Sequence, residues 1–187
     1  ENTECRLPII IIINKKKVNI KFMYKKKLYF FVVMSVIFST GFLSSISAQT
    51  QLMPSFTMKL TNGKIFSSKE LSPQKPVIII YFAPDCDHCQ VLMNALFKKI
   101  NEFKRSEIVM VTFQPLNQLV DFEKTYQTAK YSNIKVGTEA PIFFFRTYYH
   151  LENTPFTVLF DKHGKQIISY KKETPVDDLI KHLKLLK

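Results

Sequence analysis

Two stretches of the chain carry apolar residues consecutively rather than at alternate positions. "PVIIIYF" (residues 76–82) and "EIVMVTF" (residues 107–113) are short and rich in β-branched and aromatic residues, the mark of strands buried on both faces in the middle of a sheet. Between them the period changes. Cys89, Leu92, Met93, Leu96, Phe97, Ile100 and Phe103 recur at steps of three and four, which predicts an amphipathic helix from Cys86 to about Lys104. A second helix is expected over "LNQLVDFEKTYQTAK", with Leu116, Leu119, Val120, Glu123 and Tyr126 along one stripe. Strand, helix, strand, helix implies parallel pairing through right-handed crossovers.

The flanking segments read as turns and antiparallel strands. "SFTMKLTNGKIFSS" alternates loosely around Asn62-Gly63, a hairpin signal because both residues tolerate positive φ. Residues 49–54 before it read as an unstructured lead-in. "PFTVLF" and "KQIISY" flank "DKHG" (residues 161–164) and predict a second hairpin. Between the blocks, "PIFFFRTYYHL" is read as a short helix opened by Pro141. At the end, Thr174 is expected to cap a helix with Pro175 at its first position and Asp177 three residues after the cap. Val176, Leu179, Ile180, Leu183 and Leu186 form its apolar stripe. The sum is α/β: a central mixed β-sheet flanked by helices, with an N-terminal β-hairpin extension.

Charge separates the front of the chain from the rest. Residues 1–48 hold eight of the 27 Lys and Arg but only two of the 15 acids, which leaves 19 basic and 13 acidic residues and lowers the formal charge from +12 to +6. From Met23 the chain runs through three lysines, an apolar run at residues 28–43 and small residues ending at Ala48. This is the layout of a secretory signal peptide, expected over residues 23–48. Left uncut, the run at 28–43 would serve as a membrane anchor, although it is short for a span of about 20 residues. Residues 1–22 precede the first methionine and are read as an upstream or unstructured segment.

Residues 49–187 then form one exported domain, expected in the periplasm, with enough chain for a single core. With Cys5 in the front segment, that domain keeps two cysteines, Cys86 and Cys89. The basic residues outside the leader, such as Lys171-Lys172, read as solvated loop, and nothing supports nucleic-acid binding.

The pair lies in "PDCDHCQ", where a buried strand gives way to a helix. Unpaired amides and the helix dipole favour an anion there, so Cys86 is expected to be the nucleophilic thiolate. Cys89, one turn on and on the apolar stripe, is expected to resolve the mixed disulfide. His88 would favour the thiolate when protonated and Asp87 would oppose it, so both tune the redox balance.

Other readings of the pair fit less well. Haem attachment needs a histidine where Gln90 stands. Structural zinc needs two more ligands at no recognised spacing. A staple closing so small a loop removes little chain entropy. Copper binding is the sharper alternative, because two thiolates with His88, and Met93 nearby, suit Cu(I). A thioredoxin-like domain used for binding without turnover is the related option.

"VIIIYFAPDCDHCQVLMNAL" followed some 70 residues later by "YHLENTPFTVLFDKHGK" resembles the thioredoxin superfamily, in particular its exported thiol–disulfide oxidoreductases. The resemblance covers roughly residues 56–186. It implies a thioredoxin-like fold in which Thr154-Pro155 is the family's cis-proline landmark, facing the redox pair and binding the substrate chain. It also implies exchange of a C-x-x-C disulfide with cysteines of other exported proteins and no bound cofactor or metal. "PDCDHC" looks more like reductant-type members, and a reductase in an oxidising compartment needs a membrane redox relay. The chain departs from thioredoxin at three places: Asp85 replaces a tryptophan, Asp87-His88 replaces Gly-Pro, and Ile80 replaces a buried aspartate. The last change removes one proton acceptor for Cys89; Glu139 and Glu152 are the acids considered in its place. Peroxiredoxins carry a hydroxyl residue three positions before their cysteine, where this chain has Ala83.

Overall fold

The computed structural model describes residues 51–186. The expectations for residues 1–50, including Cys5, the leader and the apolar run, lie outside the described residues. Seven strands form one sheet in the order β2-β1-β5-β4-β3-β6-β7. They are β1 Thr57–Leu60, β2 Ile65–Ser67, β3 Val77–Tyr81, β4 Glu107–Thr112, β5 Ile134–Ala140, β6 Phe156–Phe160 and β7 Gln166–Lys171. The helices are α1 Asp87–Lys98, α2 Leu116–Tyr126, α3 Phe144–Tyr149 and α4 Val176–Lys184. The sheet is mixed: β3, β4 and β5 are parallel, while β1, β2, β6 and β7 add antiparallel pairs at the two sides.

Continuous apolar runs become the interior strands, as expected. Every residue of β3 and β4 is buried. Moving from β3 to β4 to β5 steps in one direction across the sheet, so two right-handed crossovers place α1 and α2 on the same face. There Leu92, Met93 and Leu96 of α1 and Leu119 and Phe122 of α2 pack with Leu179, Ile180 and Leu183 of α4 over Ile78, Ile80 and Met110. The opposite face buries Val77, Ile79, Tyr81 and Val109 beneath Phe145 and Tyr149 of α3 and Phe56, Met58 and Phe66 of the N-terminal strands. Among the described residues no helix is long and apolar enough to cross a membrane.

Several local expectations are corrected. The described part of the lead-in, from Gln51, is structured: Met53 N donates to Gly164 O at 2.8 Å, Gln166 N donates to Gln51 O at 2.9 Å, and Leu52 bridges to Lys165. It is therefore pinned to the β6–β7 turn, at the end of the sheet where Phe160 faces Val77. The Asn62-Gly63 hairpin forms, but only Gly63 takes positive φ (+81°), while the Asn62 side chain accepts the Lys64 amide at 3.0 Å.

The first helix ends at Lys98 and continues as a 3-10 turn at Ile100–Phe103. On α2 the buried stripe is Leu119 and Phe122, with Val120 exposed, because Phe122 packs on Phe82 at a centroid distance of 4.7 Å. Pro175, expected at the first helical position, is itself the N-cap of α4, so Thr174 does not cap the helix. Its hydroxyl pairs with that of Thr157 at 2.7 Å instead, and Asp177 pairs with Lys99. Val176, Leu179, Ile180 and Leu183 of the apolar stripe of α4 are buried as expected, while Leu186 lies past the helix end and is half-buried.

β5 is a strand the pattern did not predict. It lies between β4 and β1, and Gly137 is required there: a Cβ would stand 2.6 Å from the Lys59 carbonyl oxygen. The short helix expected after Pro141 does form, beginning at Phe144.

Candidate active site

β3 carries the chain to the C-terminal edge of the parallel strands, where ligands commonly bind in open α/β sheets. Phe82 N still donates to Val111 O at 3.0 Å, and then Cys86 N donates to Ala83 O at 3.2 Å in a turn. Cys86 has extended backbone (φ −91°, ψ 121°) and its carbonyl accepts the Gln90 amide at 3.0 Å, so it is the N-cap of α1. The Gln90 side chain donates to Pro84 O at 3.3 Å and ties the loop to the helix. The resulting position is half-exposed for Cys86, while Cys89, on the inner side of the same turn, is 1% exposed.

The two thiols differ chemically because of that placement. Burial pushes the Cys86 thiol up, but hydrogen bonds from the Cys89 thiol, the Thr154 side chain and the amides of Cys89 and His88 outweigh it and hold Cys86 below the ordinary thiol range. Burial drives Cys89 the other way, to about 12; the Ala83 amide opposes the shift, and the neighbouring Cys86 sulfur adds to it. The pair therefore loses its first proton from the outer sulfur. In its thiol form Cys86 Sγ donates to Thr154 O at 3.7 Å, and the Thr154-Pro155 peptide bond is cis. The structure thus brings Cys86, Cys89, Thr154 and Pro155 together. The Asp87 and His88 side chains are exposed on the first turn of α1.

Neither acid considered for Cys89 adjoins it. Glu139 is buried on the other face of the sheet, where Oε1 accepts Tyr81 Oη at 3.0 Å and the Phe143 amide at 2.8 Å, and Oε2 accepts the Phe145 amide at 2.8 Å. Burial holds its carboxyl above the usual range despite those bonds. Glu152 is exposed. Ile80, at the place of the family's aspartate, is fully buried in apolar surroundings.

Met93, the thioether near the copper alternative, is 1% exposed and packs in the core. Among the described residues no group of three or more His, Cys, Asp or Glu converges as a metal site would. A groove of about 700 Å³ opens beside Cys86 between α1 and α2, lined by Pro84, Asp85, Gln90, Asn94, Gln118 and Asp121 among others.

Pattern reading missed the residues that follow β4 and β5 at the same end of the sheet as Cys86: Phe113, Pro141, Ile142, Phe143 and Arg146. The available signal was Ile134 and Val136 alternating with Lys135 just before Gly137, which marks a strand and would have placed its loop at this edge.

The family model described as "AhpC/TSA family" matches residues 50–180. The chain belongs to the AhpC/TSA family. It is accordingly a member of the thioredoxin superfamily, and a redox-type function follows for the domain.

Solved structures share the fold. A SCO1/SenC family lipoprotein from Bacillus anthracis is 20% identical with a TM-score of 0.59, over 74% of this chain and 96% of that one. The exposed lipoprotein thioredoxin Etrx1 of Streptococcus pneumoniae is 20% identical with a TM-score of 0.54, over 71% and 100%. A peroxiredoxin-like protein from Aquifex aeolicus is 14% identical with a TM-score of 0.59, over 74% and 86%. These names span different activities, so the likeness carries the fold and leaves function to the site. A search of curated proteins finds no match.

Proposed function

We propose that this AhpC/TSA-family domain is an exported thiol–disulfide oxidoreductase that acts as a reductant on disulfides of other exported proteins. The observation that carries the reading is the split between the thiols: a half-exposed Cys86 held below the ordinary thiol range beside a buried Cys89 held near 12. The Cys86 thiolate attacks one sulfur of a client disulfide, the client S–S bond breaks, and the departing client thiolate takes a proton from water. Cys89 then loses its proton and attacks Cys86 Sγ. The mixed disulfide breaks, the second client thiol leaves, and the domain holds a Cys86–Cys89 disulfide. Two electrons have passed to the client.

Thr154 and Pro155 serve as the substrate-binding edge, because the backbone beside Cys86 Sγ is where an extended client strand would pair. Asp87 and His88 tune the couple through their charges on the first helical turn. No bound cofactor or metal is needed, and the oxidised domain is returned to the dithiol by a membrane redox relay. Export to the periplasm, with cleavage after Ala48 or anchoring through residues 28–43, completes the proposal.

The test is a Cys89→Ala variant expressed in an exporting host. It accumulates mixed disulfides, seen as adducts that collapse on reduction and are lost in Cys86→Ala. Absence of adducts, together with tight stoichiometric Cu(I) binding by the reduced wild type, would favour the copper-binding alternative.

A further inference from the structure

Phe113 follows β4, and Pro141, Ile142 and Phe143 follow β5, at the same end of the sheet where Cys86 follows β3. Ile142 is 60% exposed and Phe143 44%; among the described residues this is where two large exposed apolar side chains stand consecutively. Phe143 also adopts the left-handed region, with φ 66°. A bulky residue persists there only where its surroundings enforce it, and such positions cluster at functional sites.

The enforcement is visible. The buried Glu139 carboxylate accepts the Phe143 and Phe145 amides at 2.8 Å each. The Arg146 guanidinium lies 5.7 Å from the Phe143 ring centre and 5.8 Å from that of Phe113, and the two rings are themselves 5.8 Å apart. Arg146 Nε donates to Leu151 O at 3.2 Å and Nη2 donates to Glu152 O at 3.3 Å. Those carbonyls belong to the segment that leads into Thr154. A buried carboxylate and an arginine therefore hold an apolar surface out in solvent and couple it to the edge beside Cys86.

The geometry points to a client-recognition subsite formed by Phe113, Ile142, Phe143 and Arg146, which takes a bulky apolar side chain with an acidic neighbour from an extended client segment. The inference rests on the oxidoreductase reading and names the class of client it selects. The apolar part follows from Ile142 and the aromatic rings. The acidic part follows from the exposed guanidinium, which spends two donors on backbone carbonyls and has others free to face a carboxylate. β3 and β5 are two strand spacings apart, roughly 10 Å, so the selected residues should lie about three extended residues from the client cysteine.

Three disulfides test this with the reduced full domain: a peptide with Leu-Glu three residues from its disulfide-bonded cysteine, the same peptide with Ser-Lys there, and glutathione disulfide. Wild type should reduce the Leu-Glu peptide with kcat/KM about tenfold above the Ser-Lys peptide, the scale of burying one apolar side chain. Ile142→Ser, at an exposed position, should pull that ratio toward one through KM, and Arg146→Gln should lower the same ratio by removing the charge that favours Glu over Lys. A wild-type ratio near one while glutathione disulfide is reduced overturns the subsite and leaves the oxidoreductase reading standing. So does a preference that survives Ile142→Ser, which would place the client in the α1–α2 groove. Failure to reduce any of the three overturns both.

Discussion

The two cysteines sit three residues apart, yet they should react with an alkylating agent at very different rates. Cys86 is held below the ordinary thiol value near 9, so at pH 7 at least about one part in a hundred is thiolate. Cys89 at about 12 is thiolate in about one part in 10⁵ at the same pH. The thiolate is the nucleophile, so the ionisation difference alone predicts Cys86 to be alkylated at least about 10³-fold faster. The 1% exposure of Cys89 widens the gap.

The assay is iodoacetamide labelling of the reduced native domain, with each cysteine followed by mass spectrometry from pH 5 to 10. Cys86 labelling should rise with pH and turn toward a plateau earlier than an ordinary thiol does, since only its deprotonated form reacts. Cys89 should stay unlabelled across the range until the protein is denatured. Labelling of Cys89 within tenfold of Cys86 in the folded protein would refute the argument that burial separates the two sulfurs.

Three further outcomes follow from the same geometry. The Cys86–Cys89 couple, equilibrated against glutathione or dithiothreitol, should sit nearer about −270 mV than about −120 mV if the domain is a reductant. Gly137→Ala should lower stability by about 1–3 kcal/mol in urea titration, because a Cβ at 2.6 Å from the Lys59 carbonyl forces β1 away from β5. Glu139→Leu strands the Tyr81 hydroxyl and the Phe143 and Phe145 amides and should cost about 3 kcal/mol or more, against roughly 1 kcal/mol for Glu139→Gln, which retains acceptor capacity.

What could be read in advance was what the chain states locally. β3 and β4 announce themselves because strands covered on both faces carry consecutive apolar residues instead of alternating ones, and α1 and α4 because one face repeats at the helical period. The cysteine pair at the β3–α1 junction and the Thr154-Pro155 landmark followed from those elements and from the family resemblance. β5 stayed hidden because its polar residues are satisfied only in three dimensions. Glu139 is paid for by a tyrosine 58 positions away and by the amides before α3, and Gly137 looks like a breaker until β1 is seen lying against it.

The lead-in was hidden for a related reason. Its order comes from backbone hydrogen bonds to residues 164 and 166, and backbone groups leave no trace in a side-chain pattern. On α2, periodicity allowed two neighbouring stripes, and the packing of the Phe122 ring between those of Phe82 and Tyr126 decided between them. Thr174 was expected as a cap because threonine suits one, but a facing threonine on β6 offered its hydroxyl another partner.

The lead-in has a practical side. Gln51, Leu52 and Met53 are clasped by the β6–β7 turn, at the pole of the sheet opposite the one where Cys86 follows β3. A bead, a fluorophore or a lipid leash attached at the exposed Leu52 would hold the molecule by its heel and leave the sulfur facing outward. Grafting the same cargo into the loop after β5 would instead obstruct the working end.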